Sequence, residues 1–318
     1  MNAWRAASAG QLLTMGLRKD IWRPAIVRAS LPVILARGSL EGLPVVWLPP
    51  MESFRFLADP FGHWRDGRLH VFVETYDYRV RIGRIEVLVY DANLTLLERL
   101  PALAEPWHLS YPFVFEAEGE TWMLPEAHKS RGLTLYRAVD FPSRWEPAQR
   151  IVLDHVPIDA TPLFHAGRWW LFYTVAAREI DKTAALHVAW AARLAGPWHP
   201  LPQNPVRFDV ASCRPGGTPA VLDGRLMLPV QDCTRTYGGA IRPLWFDELA
   251  PERVIATPGP QLPVPPSFAP FTEGLHTLSG AGAVTLIDAK RRESALRGLG
   301  VEIQHGIAKA RRRFGRRR

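Results

Sequence analysis

Four acidic residues stand where they could do acid–base chemistry: Asp59 in Ala58-Asp59-Pro60-Phe61, Asp159 in Asp159-Ala160-Thr161-Pro162, Glu126 directly after Pro125, and Glu74 in Phe72-Val73-Glu74-Thr75. Carboxyls that share a semi-enclosed pocket repel one another, so one holds its proton while another stays ionised. Cleavage of a glycosidic bond needs that asymmetry: one carboxyl protonates the leaving oxygen and the other activates water or attacks directly. A plainer reading exists for each, because an Asp before a Pro often binds the backbone N–H groups of its own turn. Both readings stand for Asp59 and Asp159, and the structural one is preferred for Glu74.

Further polar residues fall at comparable places. Arg214 precedes Pro215-Gly216-Gly217, a permissive backbone from which a guanidinium could grip a phosphate, a carboxylate or a uronic acid in bidentate fashion. Alternatively it pairs with a carboxylate of a neighbouring unit, such as Glu126. Gln231, Asp232 and Tyr237 form a polar cluster suited to sugar hydroxyls, or else Asp232 only holds the loop 234–239. His276, within Leu275-His276-Thr277-Leu278-Ser279, reads by itself as a structural histidine. Zinc-protease, P-loop and nucleophile-elbow motifs are absent, so metalloprotease, P-loop and α/β-hydrolase functions are excluded. Cys213 and Cys233 lack metal-ligand spacing and are expected to be reduced.

The elements that must position these groups are short strands. Between residues 45 and 280 the pattern is β-branched and aromatic runs broken by Gly, Asp or Pro, without long helical periodicity. Hairpins with tight Gly turns recur: GHWRDGRLHV into FVETYD, FEAEGET into WMLPEAHK, FHAGRW into WLFYTVAA, and VLDGRL into LMLPVQDC. Each follows a short Pro-containing segment, at Ala58–Phe61, Tyr111–Phe113, Asp159–Pro162 and Gly217–Pro219, and Leu275–Ser279 makes a weaker fifth. A spacing of about fifty residues marks equivalent repeats. In a radial array each innermost strand starts near the central axis, so the five segments converge on one pocket. The predicted fold is all-β: a five-bladed β-propeller over 20–286, a lead-in over 1–19, and a C-terminal helix and basic tail over 287–318, the helix softened near Gly298 and Gly300. Asp20–Val27 reads as a strand that completes the last blade, and most of the tryptophans are expected between blades.

Net charge is +8, yet the last ten residues, KARRRFGRRR, hold seven cations and no acid. Without them the chain stands at +1, so the basic character belongs to the tail. That tail could contact anionic lipid or nucleic acid, or simply be solvated. Because no run of the length of a membrane span and no continuous apolar signal core occurs, a cytoplasmic protein is expected, with peripheral membrane association as the alternative. The Arg-bearing start reads as an amphipathic lead-in in preference to a targeting peptide.

Several of these motifs occur together in one known family. Asp20-Ile21-Trp22-Arg23, Val46-Trp47-Leu48-Pro49, Phe56-Leu57-Ala58-Asp59-Pro60-Phe61, Tyr111-Pro112-Phe113, Pro125-Glu126, Arg214-Pro215-Gly216-Gly217, Gln231-Asp232-Cys233 and Tyr237-Gly238 in this order resemble the amino-terminal domain of plant glucosamine inositolphosphorylceramide transferases and its bacterial relatives, over roughly residues 20 to 285. That domain is similar in turn to the propellers of family 43 and family 32 glycoside hydrolases. The wider resemblance implies Asp59 as base or nucleophile, Asp159 as an orienting and pKa-tuning group, and a Glu as acid. Where those enzymes carry a later-blade Glu this chain has Arg214, and Glu126 is taken as the acid. Glu74, Arg214, Gln231, Asp232, Tyr237 and His276 are taken as substrate-binding. No cofactor is expected, with a central calcium near His276 as the alternative that the resemblance suggests. The implied function is a glycoside hydrolase or transglycosidase acting on a glycan or glycoconjugate; the alternative is a glycan-binding or acceptor-positioning module that works with a separate glycosyltransferase.

Overall fold

The computed structural model describes residues 18–315. The predicted lead-in therefore lies almost wholly outside the described residues, as does the very end of the basic tail. Strands dominate, and they form five antiparallel sheets of a five-bladed propeller. Blade I runs β3 (Arg55–Arg65), β4 (Arg68–Asp77), β5 (Ile82–Tyr90) and β6 (Leu96–Leu103). Blade II runs β7 (Ser110–Ala117), β8 (Glu120–Glu126), β9 (Leu133–Asp140) and β10 (Arg144–Ile151). Blade III holds β11 (Pro157–His165), β12 (Arg168–Val175) and, after the short helix α2 (Asp181–Ala184), β13 (Ala185–Ala191), edged by β14 (His199–Pro200) and β15 (Arg207–Phe208).

In blade IV the innermost strand is split into β16 (Arg214–Pro215) and β17 (Ala220–Leu222), followed by β18 (Arg225–Asp232), β19 (Ala240–Leu249) and β20 (Val254–Pro258). Blade V joins the two ends of the ring. Its inner hairpin, β21 (Gly274–Ala281) and β22 (Val284–Glu293), pairs with β1 (Lys19–Val27), which pairs with β2 (Val45–Trp47). The expected closure by Asp20–Val27 is what the register shows, from Lys19 opposite Glu293 to Val27 opposite Thr285.

Hairpin turns follow the local chemistry. Asp66–Gly67 and Asp223–Gly224 both have positive φ at each central residue, the backbone that matches strand twist and favours Asp-Gly. Each blade interface is filled by its own apolar cluster. Val71, Leu88 and Leu286 lie between blades V and I, Val87 and Met123 between I and II, and Leu124 and Leu171 between II and III. Phe172 and Leu228 fill III against IV, and Met227, Ile241 and Ile287 fill IV against V. Helix α1 (Leu31–Arg37), begun by Pro32 and ended by Gly38 at φ 64°, seats Leu31 and Ile34 against blade V. Cys213 and Cys233 form no disulfide.

The expected helix from residue 287 is corrected: residues 287–293 belong to β22, and the terminal helix α3 spans Ala295–Gly315. Strand β22 lies between β1 and β21 with neighbouring blades over both faces, so Leu286 to Lys290 are all buried. A strand covered on both faces shows no polar–apolar alternation, and the buried Asp288 and Lys290 hid its apolar character.

Candidate functional site

Innermost strands carry a bulge at the same place in four of the blades. Register breaks between Ala58 and Phe61, Ser110 and Phe113, Ile158 and Thr161, and Leu275 and Leu278. The bulged residues Asp59, Tyr111 and Asp159 have φ of 49°, 46° and 48°, a left-handed conformation that costs a non-glycine residue roughly 1 kcal/mol. Bulges re-aim side chains, and Asp59 and His276 at these bulges line one central cavity. Opposite the residue before the bulge sit Glu74, facing Ala58, and Glu126, facing Ser110.

The cavity measures about 270 Å³ and is lined by Asp59, Glu74, Glu126, Arg214, Tyr237 and His276, with an aromatic side of Trp22, Phe56, Tyr76 and Tyr78. Asp159 lies directly behind Arg214, whose Nε donates to Asp159 Oδ2 at 2.7 Å. Gln231, itself buried, donates to the same oxygen at 3.3 Å. Asp232 stands apart from the cavity lining and holds the loop 234–239: it accepts from Thr234 N and Oγ1 and from Arg242 and Gln261.

Asp59 belongs to a buried triad with His276 and Asp288. Asp288 accepts from the backbone N–H of Asp59 at 2.9 Å, of Thr277 at 3.0 Å and of His276 at 3.2 Å. His276 Nδ1 is 2.7 Å from Asp288 Oδ1, and its Nε2 is 3.4 Å from Asp59 Oδ1. Burial pulls the imidazole down, but the Asp288 and Asp59 carboxylates outweigh it and the net shift is upward. Burial likewise pushes Asp288 up, and the bridging His276 reverses that, leaving it below the usual range. Asp59, buried and beside Asp288, is raised despite His276 and the Tyr111 N–H at 3.0 Å. His276 thus bridges the Asp59 and Asp288 carboxyls, with Trp22 stacked on it at 3.7 Å between ring centroids and 8° between planes.

Donor atoms of Asp59, His276 and Asp288 come within 4.8 Å of one another, which tests the central-calcium expectation. Calcium takes six to eight oxygens, whereas here both imidazole nitrogens face carboxylates and Asp288 is saturated by backbone donors. The donor set does not fit that ion.

Glu74 and Glu126 occupy equivalent positions and have opposite character. Glu126 accepts from His128 N at 2.8 Å and from Ser110 Oγ at 3.0 Å, and lies 2.6 Å from His128 Nδ1. Burial raises its pKa, but these contacts dominate and hold it at about 2. No donor among the described residues reaches the Glu74 carboxyl within hydrogen-bond distance. Its nearest cation candidate, His108, has Nδ1 occupied as acceptor of the Gly83 N–H at 2.8 Å, which leaves Nε2–H 3.6 Å from Glu74 Oε1. Burial lowers the His108 pKa. Burial, then the charges of Asp59, Glu126, Asp159 and Asp288, push Glu74 well above the carboxylate range. The Asp159 carboxyl is also pushed up by burial, to about 7, against the pull of Arg214. The site therefore sets Glu74, shifted toward its protonated form, beside Glu126 and Asp288, which are shifted toward the ionised one.

Sequence reasoning missed Trp22, His108, His128, Lys182 and Asp288 as parts of the site. Asp288 was detectable: Gly282 after the fifth segment repeats the hairpin grammar of the other blades, which makes 284–293 a second strand.

Among known proteins, the family model for the N-terminal region of glucosamine inositolphosphorylceramide transferase 1 matches residues 50–256. The rice (Oryza sativa subsp. indica) glucosamine inositolphosphorylceramide transferase 1 is 37% identical over 207 residues, 64% of this chain and 28% of that protein. The chain thus spans little more than a quarter of the curated relative's length. Of solved structures, a glycosyl hydrolase from Bacteroides ovatus superposes with a TM-score of 0.56 at 11% identity, covering 77% of this chain and 91% of that one. The β-1,2-mannobiose phosphorylase of Listeria innocua does so with 0.54 at 13% identity, covering 80% and 95%. These likenesses show the shared propeller fold.

Proposed function

Starting from a chain that belongs to the family of the N-terminal region of glucosamine inositolphosphorylceramide transferase 1, we propose that its central cavity cleaves or transfers a glycosidic bond, with Glu74 as acid and Asp59 as base. The observation that carries this reading is the unlike surroundings of two carboxyls in one cavity: Glu74 meets no donor within hydrogen-bond distance and is pushed well above the carboxylate range, whereas Asp59 accepts from the Tyr111 N–H at 3.0 Å and faces His276 and Thr277. The acid role thereby moves from Glu126, whose contacts with His128 and Ser110 hold its pKa at about 2.

In this reading Glu74 gives its proton to the glycosidic oxygen as the C–O bond breaks. Asp59 takes the proton of the water or acceptor hydroxyl that attacks the sugar carbon from the other side. Its basicity, raised by burial, suits that task. Trp22 and the neighbouring aromatic rings offer an apolar face for the sugar ring, and Arg214 supplies a positive wall. Asp159 orients Arg214.

The test compares Glu74→Gln and Asp59→Asn on a panel of natural glycans and aryl glycosides. Asp59→Asn is expected to lower turnover by about a hundredfold or more on every substrate. Glu74→Gln should do so on natural glycans while sparing aryl glycosides, whose leaving group needs no proton. Unchanged turnover in Asp59→Asn overturns the assignment.

A second reading is supported by the length comparison, since the relatives carry this region as a minor part of a transferase. There the cavity would hold a glycan or acceptor for a separate glycosyltransferase. Sugar binding that quenches Trp22 fluorescence, without turnover over long incubation, favours it.

A further inference from the structure

Helix α3 (Ala295–Gly315) packs on the propeller by one side only. Val301 and Gly298 are buried, Glu302 accepts from Lys19 Nζ at 2.7 Å and pairs with Arg81 at 2.5 Å, and His305 Nδ1 lies 2.9 Å from the Arg79 carbonyl. The opposite side is apolar and exposed: Leu296 at 84%, Leu299 at 45% and Ile303 at 57%. At 100° per residue these three fall within about 60° of one another and roughly half a turn from the packed side. The same spacing continues in the sequence with Ile307 and Phe314, and the interleaved positions are Arg297, Lys309, Arg311, Arg312 and Arg313. No helix among the described residues is long and apolar enough to cross a membrane.

The helix anchors at the rim of the catalytic cavity. Its partners Lys19, Arg79 and Arg81 flank Tyr78, and Arg18, Lys19, Asp20, Tyr78 and Arg292 line a groove that shares Asp20 and Tyr78 with the cavity. The apolar stripe thus stands beside the opening, turned away from the side of the helix that Lys19 and Arg81 hold.

We propose that α3 is an interfacial anchor that lays Leu296, Leu299 and Ile303 into an anionic lipid surface and sets the rim of the cavity against the bilayer. An apolar stripe flanked by cations, short of spanning length, is the pattern of a helix that lies in the headgroup plane. Charge decides between occupants. The seven cations and no acid of the last ten residues repel a second copy of the same helix, whereas each cation near an anionic leaflet adds attraction. The stripe itself has no use in binding a nucleic acid, whose contacts are with phosphates.

The experiment is co-sedimentation of the full chain with vesicles of phosphatidylcholine alone or with 30% phosphatidylglycerol, at low and high salt; neither readout depends on catalysis. The expected result is binding to the anionic vesicles, weakened by salt, and reduced roughly tenfold or more in Leu299→Asp/Ile303→Asp, whose cations are intact. A lone exposed pair should leave the thermal transition of the propeller in place, and Leu299→Ser/Ile303→Ser serves if it does not. Binding that is unchanged in both variants, or that is abolished by RNA competition while insensitive to them, overturns the proposal. So does a concentration-dependent dimer in the parent chain that both variants convert to monomer without any vesicle binding.

Discussion

At the scale of single residues the site turns on what each carboxyl finds as a neighbour. Glu74 and Glu126 hold the same place in successive blades; His108 comes from the segment that links blades I and II, and His128 from the turn between β8 and β9 within blade II. His108 spends Nδ1 on the Gly83 N–H, while His128 turns Nδ1 onto Glu126. That backbone hydrogen bond keeps His108 from pairing with Glu74, whereas His128, with Ser110, draws Glu126 well below the usual carboxylate range. For Glu126 the depressed pKa means stability that is complete above the unfolded value near 4.5 and is lost as pH falls through about 2. Its contribution is of the order of 3 kcal/mol. Glu126→Gln should accordingly flatten the acid limb of stability between pH 5 and 2, read from urea midpoints at each pH; an unaltered limb would show that the His128 pair does not hold the charge. Asp59, Arg214 and His276 were legible as cavity-lining residues because they stand at the entries of their blades, marked by local motifs such as Asp-Pro and Arg-Pro-Gly-Gly. A partner such as His108 was not, since only the packing of successive blades brings it beside Glu74.

At the scale of elements, the bulge makes the chemistry and the hairpin makes the bulge possible. Four repeated hairpins were readable because their Gly turns are local signals that recur about every fifty residues. The fifth was half read: Leu275–Ser279 was placed, but β22 was taken for helix because its charged residues are buried between blades. Blade IV differs from its neighbours. Its innermost strand is interrupted at Gly216-Gly217, where the backbone passes alongside blade V, with Leu278 N donating to Gly216 O at 2.8 Å. Gly217 has φ +145°, its N–H donates to the Tyr111 hydroxyl at 2.9 Å, and a Cβ added there would meet Leu278 O at 2.0 Å. Neither the conformation nor the space tolerates a side chain. Gly217→Ala should cost more than about 3 kcal/mol in chemical denaturation. A loss below about 1 kcal/mol would mean that the axis of the ring yields more than its packing implies.

At the scale of the whole molecule, the ring has to close, and the closing strand also carries part of the site. Strand β1 supplies the third strand of blade V, pairs β2, and brings Trp22 onto His276 and Asp20 onto Lys290. Without it β22 and β21 would be a two-stranded ribbon whose edge and apolar face lie open to water, and such a hairpin is marginal by itself. Deleting residues 1–27 should therefore cost several kcal/mol and lower the thermal midpoint by more than about 10 °C. It should also remove the ring stacking that helps hold the His276 bridge between Asp59 and Asp288. A synthetic peptide of residues 18–28 supplied in trans should restore part of the transition, because the register of nine paired residues specifies where it docks. Circular dichroism at a β-sheet wavelength follows both effects. If the truncated chain melts cooperatively at the parent temperature, blade V does not depend on the amino-terminal strand and closure of the ring is not what secures the cavity.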